Sequence, residues 1–174
     1  VAPTLASVSS PSTSTDLLIV GAGPAGAAAA IEARRGGLDA VVIDKAHFPR
    51  DKCCGDGLTA GALRHLEALG LDPSAVPSWQ PVDDVRVVSP TGRSVLFPLP
   101  RGQGRFAVIA RRRELDAALV DLADRAGADI RQGVALTGLS QDESSVTATT
   151  SEGVITAKAL IAADGMWSPS RRLL

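Results

Sequence analysis

The sequence predicts an α/β fold built on a largely parallel sheet, and two neighbouring stretches predict it. Residues 17–20, Leu-Leu-Ile-Val, form an apolar run with no polar alternation, the pattern of a strand buried on both faces. Three glycines and an Ala-rich segment of high helix propensity, residues 25–35, follow directly. Gly36 and Gly37 end that helix, and a second β-branched run, residues 40–43, closes on Asp44. Strand, glycine turn, helix, strand and acid within ~30 residues make a βαβ unit.

Each residue type in that unit has a physical task. Gly21 permits the sharp turn out of the strand. Gly23 lacks a Cβ, so the backbone can approach a pyrophosphate, and Gly26 lets the helix lie against the strand. Pro24 and Ala25 open the helix, whose N-terminus offers unpaired N–H groups and a positive dipole end to phosphate. Asp44 follows the last glycine at close to the ~20-residue spacing at which a carboxylate accepts ribose hydroxyls. That carboxylate would repel a 2′-phosphate, which argues against NADP. A Gly/Ala-rich turn alone carries no ligand; strand, helix and distal acid in register decide for a dinucleotide. The expected architecture is a Rossmann-like α/β dinucleotide-binding domain.

The 174 residues suit one domain with a substantial core, and 45% apolar with 21% charged residues is a globular composition. A net charge of −1 gives no support to nucleic-acid binding. No uncharged stretch reaches the length of a membrane span. Residues 1–15 are rich in Ser, Thr, Pro and Ala, with neither the basic start nor the apolar centre of a signal peptide, and read as a disordered tail ahead of a domain over 16–174. Cys53 and Cys54 are adjacent and form no disulfide framework, which points to a reducing cytoplasm.

Along the chain, Pro49 and residues 53–57 make a loop, and Thr59 caps a short helix over 60–69 that Gly70 ends. A proline-rich connector, 73–81, leads to apolar runs at 82–89 and 94–97 around Pro90-Thr91-Gly92, the signature of a β-hairpin. Gly102-Gln103-Gly104 is a loop and residues 107–110 a short strand. In residues 111–126, Leu115, Ala118, Leu119 and Leu122 recur at the spacing of an amphipathic helix, ended by Gly127. Strand material follows at 128–131, the third parallel strand, and at 134–139. A second hairpin spans 144–150 and 154–157, and a last strand, 159–163, precedes Asp164 and Gly165.

The combined pattern GAGPAG, then Ile43-Asp44 with Lys45, then FPRDKCCGDGL resembles the FAD-dependent geranylgeranyl reductase family, within the flavoproteins that share the p-hydroxybenzoate hydroxylase fold. That family carries an F-x-R-x-K-x-C-G-[DEG]-G loop that curls over the flavin; Phe48, Arg50, Lys52, Cys54, Gly55 and Gly57 match it, with Asp56 between the glycines. Its R-x-x-[LF]-D helix start is matched by Arg112, Leu115 and Asp116, and its D-G-x-x-S-x-x-R strand end by Asp164, Gly165, Ser168 and Arg171. Ala162 stands where many relatives have glycine.

The resemblance implies a Rossmann-like three-layer FAD/NAD(P)-binding domain with inserted β-hairpins, bound FAD, and reduction of carbon–carbon double bonds in an isoprenoid chain with electrons from NAD(P)H or another donor. It puts Arg112 near the pyrophosphate or ribityl chain and backbone groups at Val134 on the adenine. Arg50 and Lys52 offer charge to phosphate, and Gly55 and Gly57 allow close approach to a flat ring. Cys54 and Asp56 are the candidate catalytic residues; taken alone, Cys54 reads as a buried packing cysteine, and Asp56 would need strong desolvation to donate a proton at neutral pH. A lipid substrate implies peripheral membrane contact, made outside this stretch, which has no amphipathic anchor. The family's third FAD motif, of G-D-A-A type, is not found, so the chain is expected to be an N-terminal part of a longer flavoenzyme. Two other readings are an aromatic-ring monooxygenase of the same fold, against which the CGDG loop speaks, and a non-catalytic nucleotide-binding module.

Overall fold

The computed structural model describes residues 12–100, 104 and 106–173. In chain order the elements are β1 (Ser12–Val20), α1 (Pro24–Arg35), β2 (Ala40–Asp44), β3 (Gly57–Thr59), α2 (Ala60–Leu69), a 3₁₀ turn (Pro73–Ala75) and β4 (Gln80–Pro81). Then come β5 (Asp84–Val88), β6 (Ser94–Pro98), β7 (Ala107–Ile109), α3 (Arg112–Arg125), β8 (Asp129–Gln132), β9 (Leu136–Gln141), β10 (Val146–Thr150), β11 (Gly153–Ala162) and α4 (Ser170–Leu173). They divide into two compact units, Val1–His47 with Leu122–Leu174, and Phe48–Asp121.

The first unit is a six-stranded sheet in the order β8-β2-β1-β11-β10-β9. The four strands from β8 to β11 run parallel, and β10 is antiparallel to both its neighbours. The apolar run of β1 is buried on both faces, as its lack of alternation requires. Leu18 and Val20 join Val41, Ile43, Val134, Ala148 and Ile155 in one core, while Ile19 turns to the opposite face, against α1. Leu18 and Ile19 are fully buried. This parallel-rich sheet around a central βαβ unit is the α/β fold the sequence predicts.

Two boundaries differ from expectation. β1 begins at Ser12, so residues 12–15, expected in a disordered tail, are strand; the rest of that expected tail lies outside the described residues. Their Ser/Thr alternation suits a half-buried pleat. Ser12 to Thr15 pair in register with Val154 to Ala157, and Thr15 Oγ1 donates to the Asp39 carbonyl at 2.9 Å. Residues 154–157 and 159–162, expected in two separate strands, belong to the single strand β11, which ends one residue before the expected boundary at Ala163. Its first half pairs antiparallel with β10, and from Val154 to Ala162 it runs parallel to β1, so the polar Lys158 does not end it. The Lys158 ammonium instead reaches Asp16 on β1 at 2.6 Å.

In the second unit a three-stranded sheet, β3-β7-β4, accompanies α2, and β5 and β6 form a separate antiparallel hairpin. The caps of α2 are as expected: Thr59 Oγ1 accepts from the Ala62 amide at 3.4 Å, and Gly70 adopts the left-handed conformation with φ 86°. The hairpin turns at Gly92 and all ten of its strand residues are exposed, including Val87, Val95 and Phe97. Of the expected Gly102–Gly104 loop, only Gly104 lies within the described residues.

Candidate functional site

The first unit gathers three of the sequence motifs at the C-terminal ends of its parallel strands β1, β2 and β11. β1 and β11 end side by side, with Val20 opposite Ala162, and the Ala163 amide donates to the Val20 carbonyl at 2.8 Å. Gly21 follows with φ 101°, and a Cβ there would stand 2.5 Å from the Ala163 carbonyl oxygen and 2.8 Å from Asp164 Cα. Only glycine meets both demands. A Cβ on Gly26 would overlap the Gly21 carbonyl oxygen, so α1 rests directly on the turn. Gly23 is the N-cap of α1 with extended backbone, Pro24 occupies its first turn, and Ala25 is exposed. No side chain caps this end and no acidic residue lies in its first turn, which leaves the positive end of the helix for an anion.

Asp44 ties the glycine turn to the end of β2. Its Oδ2 accepts from the Ala22 amide and its Oδ1 from the Ala46 amide, both at 2.9 Å. Its carbonyl accepts from the Val134 amide at 2.9 Å. Each carboxylate oxygen retains acceptor capacity for a ribose hydroxyl. Val134 is buried, with its amide committed to Asp44. Lys45 is exposed.

Asp164 is half-buried beside the Gly21 turn, and its Oδ2 accepts from the Ser170 amide at 2.9 Å. Burial pushes its carboxyl up, but hydrogen bonds from Ser168 and Ser170 outweigh burial and hold it below the ordinary carboxylate range. Ser168 also accepts from the Arg171 amide at 3.0 Å, closing the loop on itself. Gly165 faces open space, with nothing within 4 Å of where a Cβ would be.

The second unit holds the other group of predicted residues. Arg112, at the start of α3, grips Asp116 with both arms of its guanidinium, Nε to Oδ1 at 2.6 Å and Nη2 to Oδ2 at 2.8 Å. Arg50 reaches the same carboxylate at 3.2 Å and lies over the Phe48 ring, 4.8 Å from its centroid. Asp116 is fully buried and faces two guanidinium groups. The motif match alone does not reveal that Asp116 joins two arginines, because Arg50 lies far away in sequence.

Asp56 is the single non-glycine residue with positive φ, 56°, among the described residues. Its carbonyl accepts from the Ala110 amide at 2.9 Å and its Oδ1 from the Arg112 amide at 3.2 Å, so it anchors the start of α3. Cys54 is exposed, unlike a buried packing cysteine. Its sulfur accepts from the Asp56 amide and from the Arg112 guanidinium, and these hold its thiol below the ordinary range despite some desolvation. Gly55 and Gly57 are exposed, and nothing in the protein lies within 4 Å of a Cβ at Gly55, so the fold itself makes no steric demand for glycine there. Lys52 is exposed. Among the described residues no His/Cys/Asp/Glu cluster suits a metal ion, and no helix is long and apolar enough to cross a membrane.

Residues 14–174 match a family model described as an FAD binding domain. The chain is 39% identical over 170 residues to a menaquinone reductase of Mycobacterium tuberculosis, covering 92% of this chain and 40% of the relative. It is 35% identical over 161 residues to digeranylgeranylglycerophospholipid reductase 1 of Methanothermobacter thermautotrophicus, covering 88% and 39%. The crystal structure of a geranylgeranyl bacteriochlorophyll reductase-like protein from Thermoplasma acidophilum superposes with a TM-score of 0.76 at 26% identity, over 89% of this chain and 40% of that one. The chain thus spans about 40% of the length of the curated relatives it matches.

Proposed function

The chain belongs to the FAD binding domain family, and from that premise we propose that it is the nucleotide-holding part of a reductase that saturates carbon–carbon double bonds in an isoprenoid chain. The observation that carries the FAD assignment is the junction of Gly21, Ala163 and Asp164 beside Asp44. A glycine turn, an uncapped helix N-terminus and a distal carboxylate there suit a pyrophosphate and a ribose. Gly21, Gly23, Pro24, Ala25 and Gly26 would hold the pyrophosphate, Asp44 the adenosine ribose, and Asp164 with Gly165 the far side of the dinucleotide. The open side of Gly165 is consistent with a ligand approaching its backbone closely.

Bound and reduced, FAD supplies a hydride. In this proposal Arg112 and Arg50, fixed by Asp116, are the cations that serve the cofactor's phosphates, as the motif resemblance implies, and Cys54 belongs to the reacting end. Asp56 acts by positioning: its carboxylate accepts from the amide of the first residue of α3, and its left-handed backbone leads the loop into β3. The isoprenoid substrate is supported by the relatives' names, since menaquinone and digeranylgeranylglycerophospholipid both carry polyprenyl chains.

Anaerobic reoxidation of the reduced flavin tests the reading. The protein containing this chain should be reoxidised by an unsaturated prenyl lipid and not by its fully saturated counterpart. Reoxidation at the same rate by a short-chain quinone without an isoprenoid tail would move the chemistry to a quinone ring. No anaerobic reoxidation by the lipid, with lipid-stimulated dioxygen consumption when the assay is repeated in air, would move it to a monooxygenase.

A further inference from the structure

We propose that His47, through the ring it seats on Gly133, is a positioning residue for the adenosine half of the dinucleotide site, a role that rests on Asp44 taking the ribose. The chain leaving β2 meets the chain leaving β8 in three contacts. The Asp44 carbonyl accepts from the Val134 amide at 2.9 Å, and the Ala46 carbonyl accepts from the Gly133 amide at 3.2 Å. The His47 ring supplies the third. It lies so close over Gly133 that an added Cβ would stand 2.6 Å from its Nε2 and 2.8 Å from its Cε1. Gly133 also has φ 78°, so both the turn and the ring above it call for glycine.

The Asp44 carboxylate is held from two sides, by the Ala22 amide and by the Ala46 amide, each at 2.9 Å. The Ala22 side is walled in, because the neighbouring Gly21 is crowded by Ala163 and Asp164. The Ala46 side is a loop in which Lys45 and His47 are exposed. Its 3.2 Å bond to Gly133 is at the long end of the range for an amide and a carbonyl. The His47 ring on Gly133 adds packing where that bond is weak, and so fixes residues 45–47. With them it fixes the Ala46 amide that orients Oδ1, one of the two oxygens a ribose hydroxyl would meet.

The test titrates the apoprotein containing this chain with FAD and with ADP, well below the melting temperature of the least stable variant. His47→Ala should weaken both ligands by the same factor, roughly three- to tenfold. His47→Phe, which keeps a flat ring over Gly133, should bind both as the wild type does. Gly133→Ala, whose Cβ takes the place of the ring, should match His47→Ala, and the double variant should bind no worse than either. Because His47 is exposed, its variants carry the test even where Gly133→Ala does not fold. Unchanged affinities in His47→Ala with only a lower melting temperature would make the ring a packing residue and overturn the proposal. Weaker FAD with unchanged ADP, no rescue by His47→Phe, or additive losses in the double variant would also overturn it. Asp44→Ala separates the two readings. If it weakens ADP while His47→Ala does not, only the role of His47 fails; if it changes neither ligand, the ribose assignment fails and takes the role of His47 with it.

Discussion

Gly21 and Ala163 stand so close that a single added carbon on the glycine would lie 2.5 Å from the Ala163 carbonyl oxygen. The contact joins the two strand ends on which the proposed dinucleotide would sit. Gly21→Ala combines that overlap with an unfavourable φ of 101°. The expected loss is about 1–3 kcal/mol from backbone strain alone, with a further loss from steric displacement. Urea denaturation measures it, and an unchanged midpoint would show that the junction yields freely.

Asp44→Ala removes acceptors for the Ala22 and Ala46 amides as well as for a ribose. One charge-assisted bond of about 1.5–3 kcal/mol lost from the ligand corresponds to roughly 10- to 100-fold weaker FAD binding. Titration of the apoprotein with FAD reads this directly. A variant that melts normally and binds FAD as the wild type does would remove Asp44 from the site.

Asp116→Ala leaves Arg50 and Arg112 without their common carboxylate in a buried setting. Breaking a buried pair by removing one partner costs about 3–5 kcal/mol, so chemical denaturation should show a large loss. Loss below about 1 kcal/mol would put this pair in the range of solvent-screened ones.

How much of this was legible in the sequence depends on how local each signal is. The run at residues 17–20, the glycines and Asp44 declare the βαβ unit because they recur at its fixed spacing within one short stretch, although the crowding of Gly21 by Ala163 is not visible there. Thr59 and Gly70 likewise mark the ends of α2. The start of β1 at Ser12 is hidden because Ser and Thr are as common in tails as in pleats, and pairing with residues 154–157 decides the matter. Lys158 splits β11 in the sequence pattern, but its partner Asp16 lies on another strand. The role of Asp116 is the least legible, since it depends on a loop arginine and a helix arginine converging on one carboxylate.

Asp164 predicts an acid sensitivity. Burial raises its carboxyl, but the Ser168 and Ser170 hydrogen bonds outweigh it and leave the folded value below the ordinary 3.8. A depressed folded value stabilises the protein above the unfolded value, and that contribution disappears as pH falls through the folded one. Asp164→Asn should therefore flatten the fall in stability between the two values, at pH below about 4. Parallel wild-type and variant stability curves across that range would show that the carboxylate contributes nothing.

The most direct test of the functional reading is the mass of a prenyl lipid after incubation with the protein containing this chain, its flavin chemically reduced to remove the need for an electron donor. The account predicts that the lipid gains two hydrogens for each bond reduced, with its head group unchanged. Cys54→Ala should slow that gain sharply, by about 100-fold if it displaces the reacting centre. A lipid recovered with every double bond intact while the flavin is reoxidised without dioxygen would contradict the isoprenoid-reductase reading.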